Sequence, residues 1–571
     1  MKVELPKEPK ELKSFVFTEL NLVELNSIEV DRLLPHIYES AIKGGRHAGP
    51  LKDASAEEYE ARYLRALLAR DDVRGFESPQ GIDVIDAWLR SSVVSFGRSG
   101  VSHRGDKMDY IRARTVAAYR AGFPDRRRSR QADTVTYLQM LKDVERRQET
   151  GLLQGDRNAM QILRELVERS VGDGVEITDA PKWAPKYDGH TLVDISTLLT
   201  LLFLEGFEAK SAGQADSPAA KGQKGREARY RSDPAVPAAA APLGSDVVTY
   251  LLTYGQLTPL QTAQHLTAIL GLRLFQLPLR TSLAIRELLR TGNLPPDMNE
   301  SATTIQPNPL AQYIDFSSDA SSGSREIARA CVQRDLRLIH AGLRDRLLLK
   351  TIRRAAETSE KLPAEYENWT GPQRFRYLTT MMTDTTLEPY FQMDLQLIRR
   401  ANEDSQDEET IEFLNSLEDS SRPPVDRLTA VLFEATKARA RHAALSWFRD
   451  TGGLNRANGM LVGDSRRRET WAYAPGNDLL TALLGIAFTD DYGRARREML
   501  LSEVLSQLTV RFGFVIDRPP DDMDSVATRG AATANLEAFK RRLKLLGVFD
   551  GLSDDFSAQS VLNPLLIGAA R

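Results

Sequence analysis

The 571-residue chain carries 76 Lys and Arg against 79 Asp and Glu, a formal charge of -3, with 42% hydrophobic and 27% charged residues. That mixture excludes a fibrous or wholly disordered chain, and the length allows about two to four domains, each with its own core. A single cysteine, Cys331, excludes an internal disulfide and a thiolate-rich metal site, as suits a reducing cytoplasm.

The amino-terminal run MKVELPKEPKELKSF is polar where a signal peptide needs an apolar stretch, so export is not expected. The most apolar windows, 192–207 and 247–279, are broken by Asp194, Gln264, His265 and Arg273. Neither supplies the roughly 18 clean apolar residues of a membrane span, and no membrane partner is expected. A short strand is predicted at 14–17. Apolar residues then recur at three- and four-residue spacings over 57–70, 108–121, 134–147 and 160–171, and later over 325–356 and 425–448, which predicts amphipathic helices. Further short strands are predicted at 313–316 and 512–516. With few aromatics and many Leu, Ala, Arg and Glu, the expected fold is mainly α, a multi-domain helical protein with a few short β elements.

Charge is segregated. Residues 98–130 hold ten Arg or Lys and three acids: Arg98, Arg104, Lys107, Arg112, Arg114, Arg120, Arg126, Arg127, Arg128 and Arg130 are interleaved with Tyr110, Tyr119 and Phe123. Such a stretch can neutralise phosphates and offer aromatic faces to bases. Its excess is more than i,i+4 pairing with three acids absorbs, although a solvated loop or a contact with an acidic protein fits the same residues. Two further sets, Arg344, Arg346, Lys350, Arg353 and Arg354 along one helix and Arg466 to Arg468 in a loop, extend a phosphate track if they share its face and are ordinary solubilising charge if they do not.

Residues 208–244 are rich in Ala, Gly, Pro, Ser and Lys with almost no large apolar side chains, and are read as a flexible linker or inserted loop. An N-terminal helical domain carrying the basic stretch is expected over 1–207 and a central helical domain over 245–424. Eight acids between 403 and 419, followed by Pro423 and Pro424, mark the softer boundary before a C-terminal domain over 425–571. There a helix at 494–511, a strand at 512–517, a loop at 518–530 and a helix at 532–546 ended by Gly547 have the order of a winged-helix-like module. On that reading Lys540, Arg541, Arg542 and Lys544 face DNA; on the other they flank packed Leu536, Phe539, Leu543 and Leu546.

The chain has no P-loop lysine motif, G-x-S-x-G elbow, H-E-x-x-H motif or Cys/His cluster, so no cofactor is expected. Arg334 and His340 resemble the R-x4-6-H signature of HEPN ribonucleases, a helical family whose Arg and His meet across a dimer to cleave RNA; structural roles in a helix account for the same pair. Asp315 and Asp319, in a Ser/Asp/Gly loop after a short strand, are oxygen ligands suited to a metal ion. The alternative is that Ser322 or Ser324 caps the following helix.

Residues 30–35 (VDRLLP), 313–317 (YIDFS) with 327–336 (IARACVQRDL), and 535–543 (NLEAFKRRL) with 547–554 (GVFDGLSD) resemble a large helical accessory protein of bacterial anti-phage systems, particularly methylation-associated defence systems. The resemblance implies a bacterial non-catalytic or recognition subunit working in a complex with an ATPase, a methyltransferase or an effector; with the cytoplasmic composition and the basic stretch, the expected protein is a cytoplasmic scaffold or sensor with DNA among its candidate partners. It carries no site residues. The reading of a different class is a HEPN-like or metal-dependent nuclease effector.

Overall fold

The structure, a computed structural model, describes residues 3–42, 64–69, 71, 74–88, 94–97, 110–113, 129–171, 175–176, 186–187, 233–255, 257–299, 307–403, 407–549 and 559–566. The fold is mainly α. Its principal helices are α1 (Leu33–Ile42), α2 (Pro79–Trp88), α3 (Ala132–Glu149), α4 (Ala159–Val171), α5 (Pro237–Tyr254), α6 (Pro259–Thr291), α7 (Gly323–Thr358), α8 (Gly371–Thr380), α9 (Glu388–Ala401), α10 (Glu408–Glu418), α11 (Pro424–Thr451), α12 (Asn477–Ala487), α13 (Leu501–Phe512) and α14 (Val526–Leu545).

Helix α6 is the axis of the core. Thr258 accepts from the Gln261 N–H at its start, Pro259 occupies the first turn, and Gly292 closes it with φ 70°, the left-handed conformation glycine adopts without strain. Every residue from 265 to 280 is buried, as in a helix packed on all sides. Pro278 lies inside it and has no N–H to give the Leu274 carbonyl; the Trp447 indole of α11 donates to that carbonyl instead, at 3.3 Å. The 260–291 helix is long and apolar enough to cross a membrane, but 94% of its most apolar window is buried inside the protein, which is the setting of a core helix.

Helix α7 crosses α6 at Gly342, where a Cβ would stand 2.8 Å from the Ser282 hydroxyl, so the two backbones approach closely. Helix α11 packs beside α7, and Trp447 stacks on Phe275 of α6 with ring centroids 5.7 Å apart. Buried polar groups tie the layers together. Asp246 of α5 accepts from Arg273 of α6 at 2.6 Å and from Arg511 of α13 at 2.9 Å. Burial works against ionisation of Asp246, but the two guanidiniums outweigh it and hold the carboxyl below the usual range.

The strands are short. β1 (Val94–Gly97) pairs antiparallel with β2 (Tyr110–Ala113), β3 (Val175–Glu176) with β4 (Lys186–Tyr187), β6 (Leu461–Val462) with β7 (Ala472–Tyr473), and β8 (Glu498–Leu500) with β10 (Ser560–Leu562). β5 (Gln312–Tyr313) runs parallel to β9 (Phe514–Val515). Asn535 of α14 clasps this pair, donating to the Ile314 and Ile516 carbonyls at 2.8 and 3.0 Å and accepting from the Phe316 N–H at 2.7 Å.

Several expectations change. The helix predicted over 108–121 gives way to a strand at 110–113, where Tyr110 and Ile111 suit a pleated pair with Gly97 and Phe96. No strand forms at 14–17: Lys350 donates to the Glu11 and Ser14 carbonyls and Arg439 to that of Lys13, so side chains take acceptors a partner strand would use. Residues 233–244 are not linker. Helix α5 begins at Pro237, and Ala235, Val236, Ala239, Ala240 and Leu243 are buried; the small residues permit close packing, since a Cβ on Gly244 would meet the Gln139 backbone at 2.2 Å. The expected 494–511 helix starts at Leu501, because 498–500 join β8. The C-terminal helix, strand, loop and helix occur in the expected order. Their strand pairs with β5, about two hundred residues earlier, so these elements complete the central core and are not a free-standing winged-helix-like module.

Candidate nucleic-acid interface

Of the basic stretch, Arg98, Arg104, Lys107, Arg114, Arg120 and Arg126 to Arg128 lie outside the described residues. Arg112 is placed on β2, its side chain outside the description. Arg130 has φ 50° and points its guanidinium at Glu24, 3.4 Å away, while its carbonyl accepts from the Glu24 N–H.

The α7 series divides into two uses. Arg346 is 3% exposed, and burial pushes its pKa down to about 10; the Asn21 amide oxygen, in the orientation that satisfies both groups, accepts from it at 2.7 and 2.9 Å. Lys350 is pushed down to about 8, chiefly by burial, with Glu11 opposing the shift. Arg353 bonds Glu19 at 2.7 Å and Glu357 at 2.5 Å, and Arg354 pairs with Asp394. These four cations fasten α7 to the amino-terminal segment and to α9, and they are not a phosphate track.

Arg344 of the same series is exposed. It lies on one stripe of α7 with Gln333, Arg337 and His340, whose spacings of four, three and four residues keep them within about 60° of arc along roughly 16 Å of helix. The loop between β6 and β7 lies against the stripe: Gln333 Nε2 donates to the Arg468 carbonyl at 3.2 Å, and Arg466, Arg467 and Arg468 are all exposed. From the α11 side comes Arg441, also exposed. Burial lowers the pKa of His340, and Arg441 and Arg468 lower it further. Arg337 and Arg441 escaped the sequence reading because each is one of several cations on its own helix, Arg441 following Lys437 and Arg439, and nothing local sets it apart; only packing brings them to the side of the 466–468 loop.

Arg334 and His340, six residues apart, point about 120° from one another around the helix axis. Arg334 donates to the Leu310 carbonyl at 2.6 Å and to Asp335 at 3.1 Å, whereas His340 faces Arg441 and Arg468. Asp335 also accepts from Tyr473 at 2.7 Å and Gln312 at 2.9 Å, and burial raises its carboxyl above the usual range despite Arg334. Asp315 is bonded to Arg325 at 2.5 Å and to the Ser317 N–H at 3.0 Å; Asp319 accepts from the Ser321 N–H and hydroxyl. Ser322 caps α7, accepting from the Arg325 N–H at 3.1 Å. Among the described residues no group of three or more His, Cys, Asp or Glu is placed to hold a metal ion.

On α14, Lys540 pairs with Glu537 at 2.8 Å, Arg541 is exposed, Arg542 is half-buried, and Lys544 lies over the Phe549 ring at 5.8 Å. Leu543 and Phe539 are fully buried between these positions. Arg541 and Lys544, three residues apart, are the exposed cations of this end.

The family model for methylation-associated defense system protein MAD7 matches residues 10–565. The chain belongs to that family. Membership makes it a component of a methylation-associated defence system, acting against phage. The match spans the basic stretch, the α7 stripe and the C-terminal helices alike. Comparison with curated proteins and with solved structures gave no match.

Proposed function

We propose that this protein is a cytoplasmic, non-catalytic subunit of its defence complex, a scaffold that engages DNA and works with an ATPase, a methyltransferase or an effector. The observation that carries the reading is the contrast between candidate groups. Arg334, Asp315 and Asp319, the residues best suited to chemistry, are committed to backbone carbonyls, an ion pair with Arg325, and the Ser321 N–H and hydroxyl. The arginines at 466–468 face solvent. The basic residues of 98–130, with Arg541 on α14, are the first candidates for phosphate contact. Contacts of this kind position a protein on nucleic acid without reading its sequence.

The test is binding of the purified protein to duplex DNA, single-stranded DNA and RNA across a salt series, with Arg126, Arg127 and Arg128 changed together to Ala. Salt-steep binding whose slope flattens in the variant supports the reading. No affinity for nucleic acid, with a subunit complex that survives nuclease treatment, makes the protein a protein-binding scaffold alone. RNA cleavage abolished by His340→Ala makes it a nuclease.

A further inference from the structure

We propose that Arg337, Arg344, Arg441, Arg466 and Arg468 form a second phosphate-binding face, centred on His340, that takes the backbone of duplex DNA. The inference rests on the DNA-engaging reading above and assigns it a surface outside the 98–130 stretch. Three separate elements supply the cations: α7, α11 and the loop between β6 and β7. The fold holds them together although like charges repel.

None of the five arginines has an acidic ion-pair partner among the described residues. The acids next to them in the chain do not fill the role. Arg467 shares Glu469 at 4.0 Å, and Asp464 accepts from the Arg466 backbone N–H at 2.8 Å. Asp345 lies off the stripe, its carboxyl raised by burial with Arg286 and Arg344 opposing. His340 Nε2 is buried and without a hydrogen-bond partner among the described residues. A cluster of guanidiniums around an unsatisfied imidazole is an arrangement an incoming anion relieves.

The chemistry favours a phosphodiester backbone over an acidic protein. Guanidinium forks match phosphate oxygens bidentately, and every cation of the face is Arg. A protein interface draws its affinity from a buried apolar or aromatic centre, but the stripe offers Gln333, Arg337, His340 and Arg344. The aromatic residues beneath the loop, Trp471 and Tyr473, are buried, and the ring of half-buried Phe433 on α11 is already covered by the Arg441 guanidinium at 5.9 Å, so these rings offer little to unpaired bases. The lack of an open stacking ring among these described residues favours duplex over single strand. A stripe of about 16 Å lies against a duplex carrying one charge per ~1.7 Å of axis, so several phosphates fall within reach of its arginines.

The experiment uses the full-length protein, a labelled DNA duplex, and matched single-stranded DNA and RNA in a salt series. The variants are Arg441→Ala/Arg466→Ala/Arg468→Ala and the corresponding triple Lys variant, each checked by thermal melting for an unchanged fold. The Ala triple is expected to lower the slope of log K against log salt by roughly two to three and weaken duplex binding about 10- to 100-fold near physiological salt. The Lys triple, which keeps the charge, is expected to recover most of the loss. If the wild type binds duplex and the Ala triple binds equally with the same slope, this face is not the site, although the DNA-engaging reading stands. Preference for single-stranded DNA or RNA overturns the duplex assignment. If the wild type binds no nucleic acid, the reading and this inference fall together.

Discussion

Two faces of α7 use the same kind of cation in opposite ways. On one, Arg346, Lys350, Arg353 and Arg354 are drawn inward by Asn21, the Glu11 and Ser14 carbonyls, Glu19 and Asp394. On the other, Arg337 and Arg344 remain on the surface, on the side that meets Arg441 and the 466–468 loop. The difference lies outside the helix. An arginine becomes structural when a distant segment brings it an acceptor, and it remains available for a ligand when none arrives.

The comparison is sharpest where the inward use is most complete. Asp246→Ala leaves Arg273 and Arg511 facing each other inside the core, and a loss of about 3–5 kcal/mol, or failure to fold, is expected in denaturant unfolding. The same pair sets a pH dependence. Because the folded pKa of Asp246 lies below its unfolded value, the unfolded chain binds more protons in that range. The contribution is therefore complete above the ordinary carboxylate pKa and is lost as pH falls through the folded one. Acid unfolding of the wild type, compared with Asp246→Asn, checks the sign: the wild type loses stability on acidification that the variant never had.

A smaller effect is expected at the end of α7. Arg354→Ala leaves Asp394, whose carboxyl burial already raises, without its cation, and a loss of about 1–3 kcal/mol is expected by thermal or denaturant unfolding. On the outer face the readout changes from stability to charge. Replacing Arg441 and Arg468 by Ala is expected to raise the pKa of His340, because both now lower it; NMR of labelled histidine, with the resonance assigned by His340→Asn, measures the shift. An unchanged pKa would falsify the placement of those arginines around the imidazole. The smallest effect is on folding: Arg466→Ala with Arg468→Ala is expected to change stability by no more than about 0.5 kcal/mol.

Much of the helical framework was legible in the chain. The three- and four-residue spacing predicts α3, α4, α7 and α11, and the Ser-rich loop before α7 announces the cap that Ser322 provides. Strands at 313 and 514–515 were legible as short elements, but their parallel pairing was not, because it joins residues about two hundred apart. Ala235 to Gly244 read as linker because small side chains signal flexibility; here they allow α5 to lie directly on the α3 backbone. Residues 14–17 (SFVF) read locally as a short strand, while the side chains that take the neighbouring carbonyls come from Lys350 and Arg439.

The basic face was only partly legible. Arg466 to Arg468 stand out as a run, and His340 stands out through its spacing from Arg334, but the spacing suggests a pair that the helix points apart. Arg337 and Arg441 give no local signal. Long-range packing, which composition and periodicity do not encode, decides which cations meet.

The most direct test of the two uses is a crossed measurement on two sets of variants: Arg441→Ala/Arg466→Ala/Arg468→Ala against Arg353→Ala/Arg354→Ala, each assayed for melting temperature and for the salt slope of duplex DNA binding. The outer set is expected to flatten the slope and leave the melting temperature in place; the inner set is expected to lower the melting temperature and leave the slope of the folded protein as it was. The opposite pattern, or an identical response from both sets, contradicts the division of α7 into an inward-fastening face and a phosphate-facing one.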